Sequence, residues 1–200
     1  MLDKPVVIKD VLDVTLFKDL WLEMNKYSRW ELSNFSYSTE VGNQQISWGM
    51  SPFHKNDSLL WFEAASIIKL KLLRHLRQQI QLCKIHFNAQ TRGQISEFHQ
   101  DFDEDDCWTF VLFTEEEWDT QWGGEFVSQH SVTGEYFYVP YIPNSGALIP
   151  AHWQHYGMSP NSITDKLRTT IAFSYMSFDE MDRILKNDDH PLIKKVRHYV

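Results

Sequence analysis

Beyond residue 83 the chain changes texture, and that change restricts its possible folds more than any single motif does. Apolar runs separated by turn residues follow one another at 84–91, 95–101, 107–114, 124–129, 135–142, 146–151, 153–158 and 167–176. Short runs at this spacing predict antiparallel strands closed into a sandwich or jelly roll. The first 83 residues read differently. Trp61, Ala65, Ile68, Leu72, Leu76 and Ile80 recur every three or four positions with Lys and Arg between them. That spacing predicts a helix over 58–82, packed on a sheet and capped by Asn56, Asp57 or Ser58. Residues 15–27 carry Leu16, Leu20, Trp21 and Met24 at helical spacing, and 179–187 predict a short third helix. Strands are expected at 5–9, 29–38 and 45–49, the last two joined by a turn around Gly42-Asn43.

No repeat, low-complexity tract or Pro/Gly/Ser linker divides the chain, so one domain over 1–200 is expected. Its parts would be N-terminal strands and supporting helices (1–83), a β core (84–178) and a C-terminal helix and tail (179–200). The fold class is α+β, mainly β, with the chemistry in the β half. The 8 Trp, 8 Tyr and 13 Phe suit a strand-rich core of large side chains.

A net charge of −8 argues against nucleic acid as the main ligand, because phosphate binding needs concentrated Lys and Arg. The basic clusters at 69–77 and 194–198 read as solvated faces. Cys83 and Cys107 are the only cysteines, and both sit in apolar runs, which predicts buried thiols rather than a disulfide framework. No apolar run approaches about 18 residues, so no membrane span is expected. The first residues lack a basic start and an apolar core, so the cytoplasm is the expected compartment.

Within the β half, Phe98-His99-Gln100-Asp101 is followed farther on by His155. Two imidazoles and one carboxylate can hold one face of Fe(II) and leave the other open. If 95–101 is a strand, His99 and Asp101 point to one side, because side chains alternate with period two. His155 would then come from a facing strand. If the open face serves O₂ and a substrate, the site is that of an oxygenase, which needs a co-substrate that reduces O₂, for which 2-oxoglutarate is the usual choice. The co-substrate's far carboxylate requires a fixed cation, and Arg can offer it a two-pronged grip. Arg168 and Thr170 share a face of the strand expected at 167–176. Lys166 falls on the same face and competes for the cationic role.

With these residues in view, the sequence resembles the Fe(II)/2-oxoglutarate-dependent dioxygenases, in their prolyl 4-hydroxylase-like branch. The resemblance spans roughly 84–176. It rests on Asn88-Ala-Gln-Thr-Arg-Gly93, Phe98-His-Gln-Asp101, Cys107-Trp-Thr-Phe-Val-Leu-Phe113, Trp122-Gly-Gly-Glu-Phe126, Pro150-Ala-His-Trp-Gln-His155 and Arg168-Thr-Thr-Ile-Ala-Phe173. It implies a double-stranded β-helix (jelly roll, cupin-like) with N-terminal helices packed on one sheet. It also implies Fe(II) on His99, Asp101 and His155, and 2-oxoglutarate on Arg168 with Thr170. O₂ would be the oxidant and ascorbate a candidate reductant. The implied reaction hydroxylates a C–H bond of a prolyl or other amino-acid, peptide or protein side chain and releases succinate and CO₂. Two departures stand out: the stretch from His155 to Arg168 is slightly long, and Arg92 occupies a position where many relatives carry Tyr. Prolyl hydroxylases proper use Lys where Arg168 stands, which keeps Lys166 in consideration.

His152 is the rival of His155. The two are three apart and would point to opposite faces of a strand, and the surrounding segment fits the family better with His155 as ligand. His86 is a weaker candidate for lining the site. The acidic run 101–106 begins like a calcium loop but has Asp106 at the sixth position and Leu112 at the twelfth, where Gly and Glu are needed. It reads as a solvated loop that can attract a cationic substrate. Two other functions remain open: a cupin-like metal-dependent isomerase or hydrolase, which would not need Arg168, and a catalytically silent binding module on the same barrel.

Overall fold

The computed structural model describes residues 2–27, 30–37, 44–50, 59–94 and 96–193. Ten strands and three α-helices follow in the order β1 (Val6–Ile8), α1 (Val14–Leu22), β2 (Glu31–Tyr37), β3 (Gln44–Met50), α2 (Leu60–Leu76), β4 (Ile80–Gln90), β5 (Cys107–Phe113), β6 (Phe126–Gln129), β7 (Tyr136–Val139), β8 (Gly146–Pro150), β9 (Gln154–Gly157), β10 (Arg168–Ser177) and α3 (Phe178–Leu185). They form a major sheet ordered β1-β8-β5-β10-β4-β3-β2 and a minor sheet ordered β7-β6-β9. Every named pairing is antiparallel. This is the mainly β architecture expected from the run of short strands. Among the described residues, no helix is long and apolar enough to cross a membrane.

Strands β5 and β10 are buried along their whole length because both faces of the major sheet are covered. On one face Phe87, Phe110, Leu112, Ile171, Phe173 and Tyr175 pack with Leu16, Leu20, Trp61, Ile68 and Leu72 of α1 and α2. On the other, Val111, Phe113, Ala147, Ile149 and Ala172 meet Phe126, Val139 and Trp153 from the minor-sheet side. Period two sends alternate residues of one strand into two different cores. Local signals set the helix ends. Asp13 Oδ1 accepts from the amides of Thr15 (3.0 Å) and Leu16 (3.1 Å), and Ser177 Oγ accepts from Glu180 N (3.1 Å).

Two sequence expectations need correction. The helix expected to reach residue 82 ends at Leu76. Arg77 adopts a left-handed conformation (φ 56°) and closes the helix by donating to Leu73 O, after which Ile80 opens β4 opposite Ser177. The helical spacing of Ile80 is therefore coincidental, since that residue is buried by pairing with β10. The strand expected at 95–101 is reduced to a single bridge, His99 with His155, and Ile95 lies outside the described residues. The candidate caps 56–58, the turn at 42–43 and the basic tail 194–198 also lie outside them. Cys83 and Cys107 are free and buried, as expected.

Candidate metal centre

The bridge that replaces the expected strand is what assembles the site. His99 N donates to His155 O (3.1 Å), His155 N donates to His99 O (2.8 Å), and Asp101 N donates to Ala151 O (3.0 Å). The segment after β4 is thereby strapped alongside β9. One candidate ligand atom each from His99, Asp101 and His155 then lies within 4.8 Å of the others. Among the described residues this is the one His/Cys/Asp/Glu cluster with metal-binding geometry. His152, the rival, points elsewhere: its Nδ1 lies 3.7 Å from Asp105 Oδ1, beside a separate hollow floored by Trp108.

Both imidazoles are oriented by carbonyl groups. His99 Nδ1 lies 3.1 Å from Glu97 O, and His155 Nδ1 lies 2.9 Å from Trp153 O. A carbonyl only accepts, so the proton sits on Nδ1 and each Nε2 lone pair is left for a metal. Burial lowers the His155 pKa to about 4, with the nearby Asp101 charge opposing the shift, so the ring is neutral at pH 7. Burial pushes the Asp101 carboxyl up, but Lys84 and His155, with the hydrogen bond from Thr109, outweigh it and hold it well below the usual carboxylate range. Asp101 is an anion, and two imidazoles plus one carboxylate form a donor set suited to a divalent transition metal.

The metal cluster opens into a cavity of about 530 Å³, its mouth included. Its wall is built by period two: His86, Asn88 and Gln90 face it from β4, and Arg168, Thr170 and Ala172 face it from β10. Arg168 is 2 % exposed. Its Nε donates to Gly124 O (2.7 Å) and its Nη1 to Gln90 Oε1 (3.0 Å), the cross-strand partner of Arg168. The Nη2 group is buried with no protein partner. Burial lowers the guanidinium pKa to about 10, opposed by Tyr141 and Glu125, so the group stays charged at pH 7. A buried cation with an unanswered donor in a cavity fits an anionic ligand end such as a carboxylate.

Two glycines make room for that guanidinium. A Cβ on Gly124, which has φ +83°, would stand 3.2 Å from Arg168 Cδ, and one on Gly157 would stand 2.7 Å from Nη1. Gly123 and Gly124 both have positive φ and form a turn. The Tyr141 ring lies 5.3 Å beneath the guanidinium carbon. Lys166 is not on the cavity wall. It is exposed and precedes β10, so period two does not reach it, and its charge acts instead on the buried Glu115. Arg92, exposed and 3.4 Å from Ser162 O, does not line the cavity either.

Sequence reasoning overlooked Lys84, Gln90, Thr109 and Gly157. One signal was present: Lys84, His86, Asn88 and Gln90 alternate with Ile85, Phe87 and Ala89, a polar stripe on an otherwise apolar strand.

The architecture and site define a double-stranded β-helix of the kind found in 2-oxoglutarate/Fe(II) oxygenases, and solved structures share that fold. The epimerase SnoN of nogalamycin biosynthesis matches with a TM-score of 0.64 and 13% identity, covering 86% of this chain and 76% of that one. A Pseudomonas putida prolyl-4-hydroxylase matches with a TM-score of 0.60 and 14% identity, over 86% and 92% of the two chains. HygX from Streptomyces hygroscopicus, solved with nickel and 2-oxoglutarate, matches with a TM-score of 0.62 and 12% identity, over 87% and 83%. No family model matches the sequence, and no curated protein matches it.

Proposed function

We propose that this chain is an Fe(II)- and 2-oxoglutarate-dependent oxygenase that hydroxylates a C–H bond of a prolyl or other amino-acid or peptidyl side chain. The observation that carries the reading is the buried Arg168, its Nη2 unpartnered, in the same cavity as the His99-Asp101-His155 cluster. A metal-dependent isomerase or hydrolase has no use for such a cation. A silent binding module has no physical need for all four groups together.

His99, Asp101 and His155 would hold the iron, and Arg168 with Thr170 the far carboxylate of 2-oxoglutarate. Bound together, iron and 2-oxoglutarate supply the oxidising equivalent for C–H cleavage from O₂, with release of succinate and CO₂. The chain's own contribution is geometric and electrostatic. The Glu97 and Trp153 carbonyls fix the imidazoles, Gln90 and Gly124 hold the guanidinium, and the β4 and β10 walls exclude water from the reacting groups. Fold relatives solved with a hypoxia-inducible-factor peptide fragment and with hygromycin B support a peptide or small-molecule substrate. Product mass separates hydroxylation from the epimerisation named for SnoN, which leaves mass unchanged.

The test is anaerobic addition of Fe(II) and 2-oxoglutarate to the apo protein. A weak visible charge-transfer band is expected from wild type and not from His99→Ala. No band from wild type, or an undiminished one from His99→Ala, would overturn the reading. A peptide and amino-acid panel scored for a gain of one oxygen alongside succinate then addresses the substrate.

A further inference from the structure

Asp101 uses both of its oxygens within the protein, and they are used differently. Lys84 Nζ donates to Oδ1 at 2.9 Å, and Thr109 Oγ1 donates to Oδ2 at 2.6 Å. Oδ2 is also the oxygen that faces His155 Nε2, at 3.7 Å. The Asp101 side chain is 7 % exposed and that of Lys84 is 31 % exposed, so this is a semi-buried, charge-assisted contact rather than a surface pair. Lys84 reaches the carboxylate because strand alternation puts it in phase with His86, Asn88 and Gln90. The β4–β10 register shifts between Ser174 and Tyr175, so Ser174 pairs with Lys84 while Tyr175 pairs with Leu82. Such a bulge re-aims a side chain beside a site. Here it changes the phase of the strand before Lys84, so that Ile80 and Leu82 join Ile85 and Phe87 in the helix-side core.

An ammonium beside a carboxylate that must bind a divalent cation is costly by simple Coulomb reasoning, because it repels the ion. Its presence calls for a compensating role. We propose, resting on the oxygenase reading, that Lys84 is a positioning residue that withholds Asp101 Oδ1 and leaves Oδ2, the oxygen facing His155 Nε2, as the single donor. A carboxylate free to turn can offer both oxygens to a metal. Held to one, it contributes a single donor, so the triad fills only one face of the ion. The positions left over are those that a chelating keto-acid requires. Lys84 thus governs co-substrate binding through Asp101 without touching the co-substrate.

The test loads wild type, Lys84→Met, Lys84→Gln and Lys84→Arg with Co(II), whose visible absorption reports coordination number, and titrates each with 2-oxoglutarate. Circular dichroism first establishes that each variant is folded. Lys84→Met is expected to bind Co(II) at least as tightly as wild type, to show an altered Co(II) spectrum, and to bind 2-oxoglutarate at least tenfold more weakly. Lys84→Arg, which restores a charged donor, is expected to recover the wild-type spectrum and affinity. Lys84→Gln, which can donate without charge, serves if Lys84→Met does not fold, and is expected to weaken 2-oxoglutarate binding less than Lys84→Met does. Superposable Co(II) spectra and 2-oxoglutarate affinities within twofold of wild type for Lys84→Met, or for Lys84→Gln if only that variant folds, would overturn the proposal. So would a tenfold loss of Co(II) binding, which would make Lys84 a structural support of the triad. A wild type that binds Co(II) but not 2-oxoglutarate would instead overturn the oxygenase reading on which the proposal rests.

Discussion

Gly157 and Arg168 approach so closely that a single added carbon would collide: a Cβ on Gly157 would stand 2.7 Å from Arg168 Nη1 and 2.9 Å from Gln90 Oε1. The slot for the guanidinium thus depends on the absence of a side chain on β9. Gly157→Ala should push Arg168 out of line and weaken 2-oxoglutarate binding by roughly tenfold, or about 1.4 kcal/mol. Metal binding should be unchanged, since His155 is untouched. Parallel calorimetric titrations with Co(II) and with 2-oxoglutarate check this, and equal losses for both ligands would count against it.

Arg168→Lys keeps a positive charge but not the planar fork. One ammonium cannot reproduce the directed bonds to Gly124 O and Gln90 Oε1 while also meeting a ligand. Uncoupled succinate formation should fall by at least tenfold in Arg168→Lys and be lost in Arg168→Ala, mainly through a raised KM for 2-oxoglutarate.

Occupancy of the triad should stabilise the fold. A metal held at a hundredfold excess over its Kd adds about 2.7 kcal/mol if it binds only the native state. Differential scanning fluorimetry should show a Tm increase with Co(II) or Ni(II) that EDTA reverses. Asp101→Asn should abolish the increase.

Acid should destabilise the metal-free protein through buried His155 and half-buried His86. Burial lowers His86 and His155 to about 4 from the usual imidazole value of 6.5, so between those values the unfolded chain binds more protons than the native one. Stability therefore rises with pH across that window and is lost as pH falls through it, at roughly 1.4 kcal/mol per pH unit for each group. Urea midpoints of the apo protein at pH 7 and pH 5 should show the drop, and His86→Asn should shrink it. An unchanged difference in that variant would contradict the assignment.

Tyr175 ties the helical layer to the major sheet, its buried hydroxyl donating to Ala65 O at 2.6 Å. Tyr175→Phe removes one buried hydrogen bond and should cost about 1 kcal/mol in denaturant unfolding, with metal binding unaffected.

The candidate site was legible in the sequence where its chemistry is local. His99 and Asp101 sit two apart, and their ligand atoms come together even though only His99 forms a bridge. Arg168 and Thr170 share the inward face of β10 because side chains alternate along a strand. The rule failed where the strand was assumed to continue. Lys166 precedes β10, so alternation does not apply to it, and the helical spacing of Ile80 concealed the left-handed turn at Arg77.

Alternation along a strand is a property of the backbone at each residue, and it appears wherever the chain is extended. The amino-acid order therefore determined by itself which side chains would travel together: two candidate ligands in one segment, and Arg168 with Thr170 in another. Which segments face each other depends on register between strands far apart in the chain, and only the tertiary structure decided it. That register put Gln90 across from Arg168, His155 beside His99 and Lys84 onto Asp101. It also chose His155 over His152, because sheet packing turns one ring inward and the other toward Asp105.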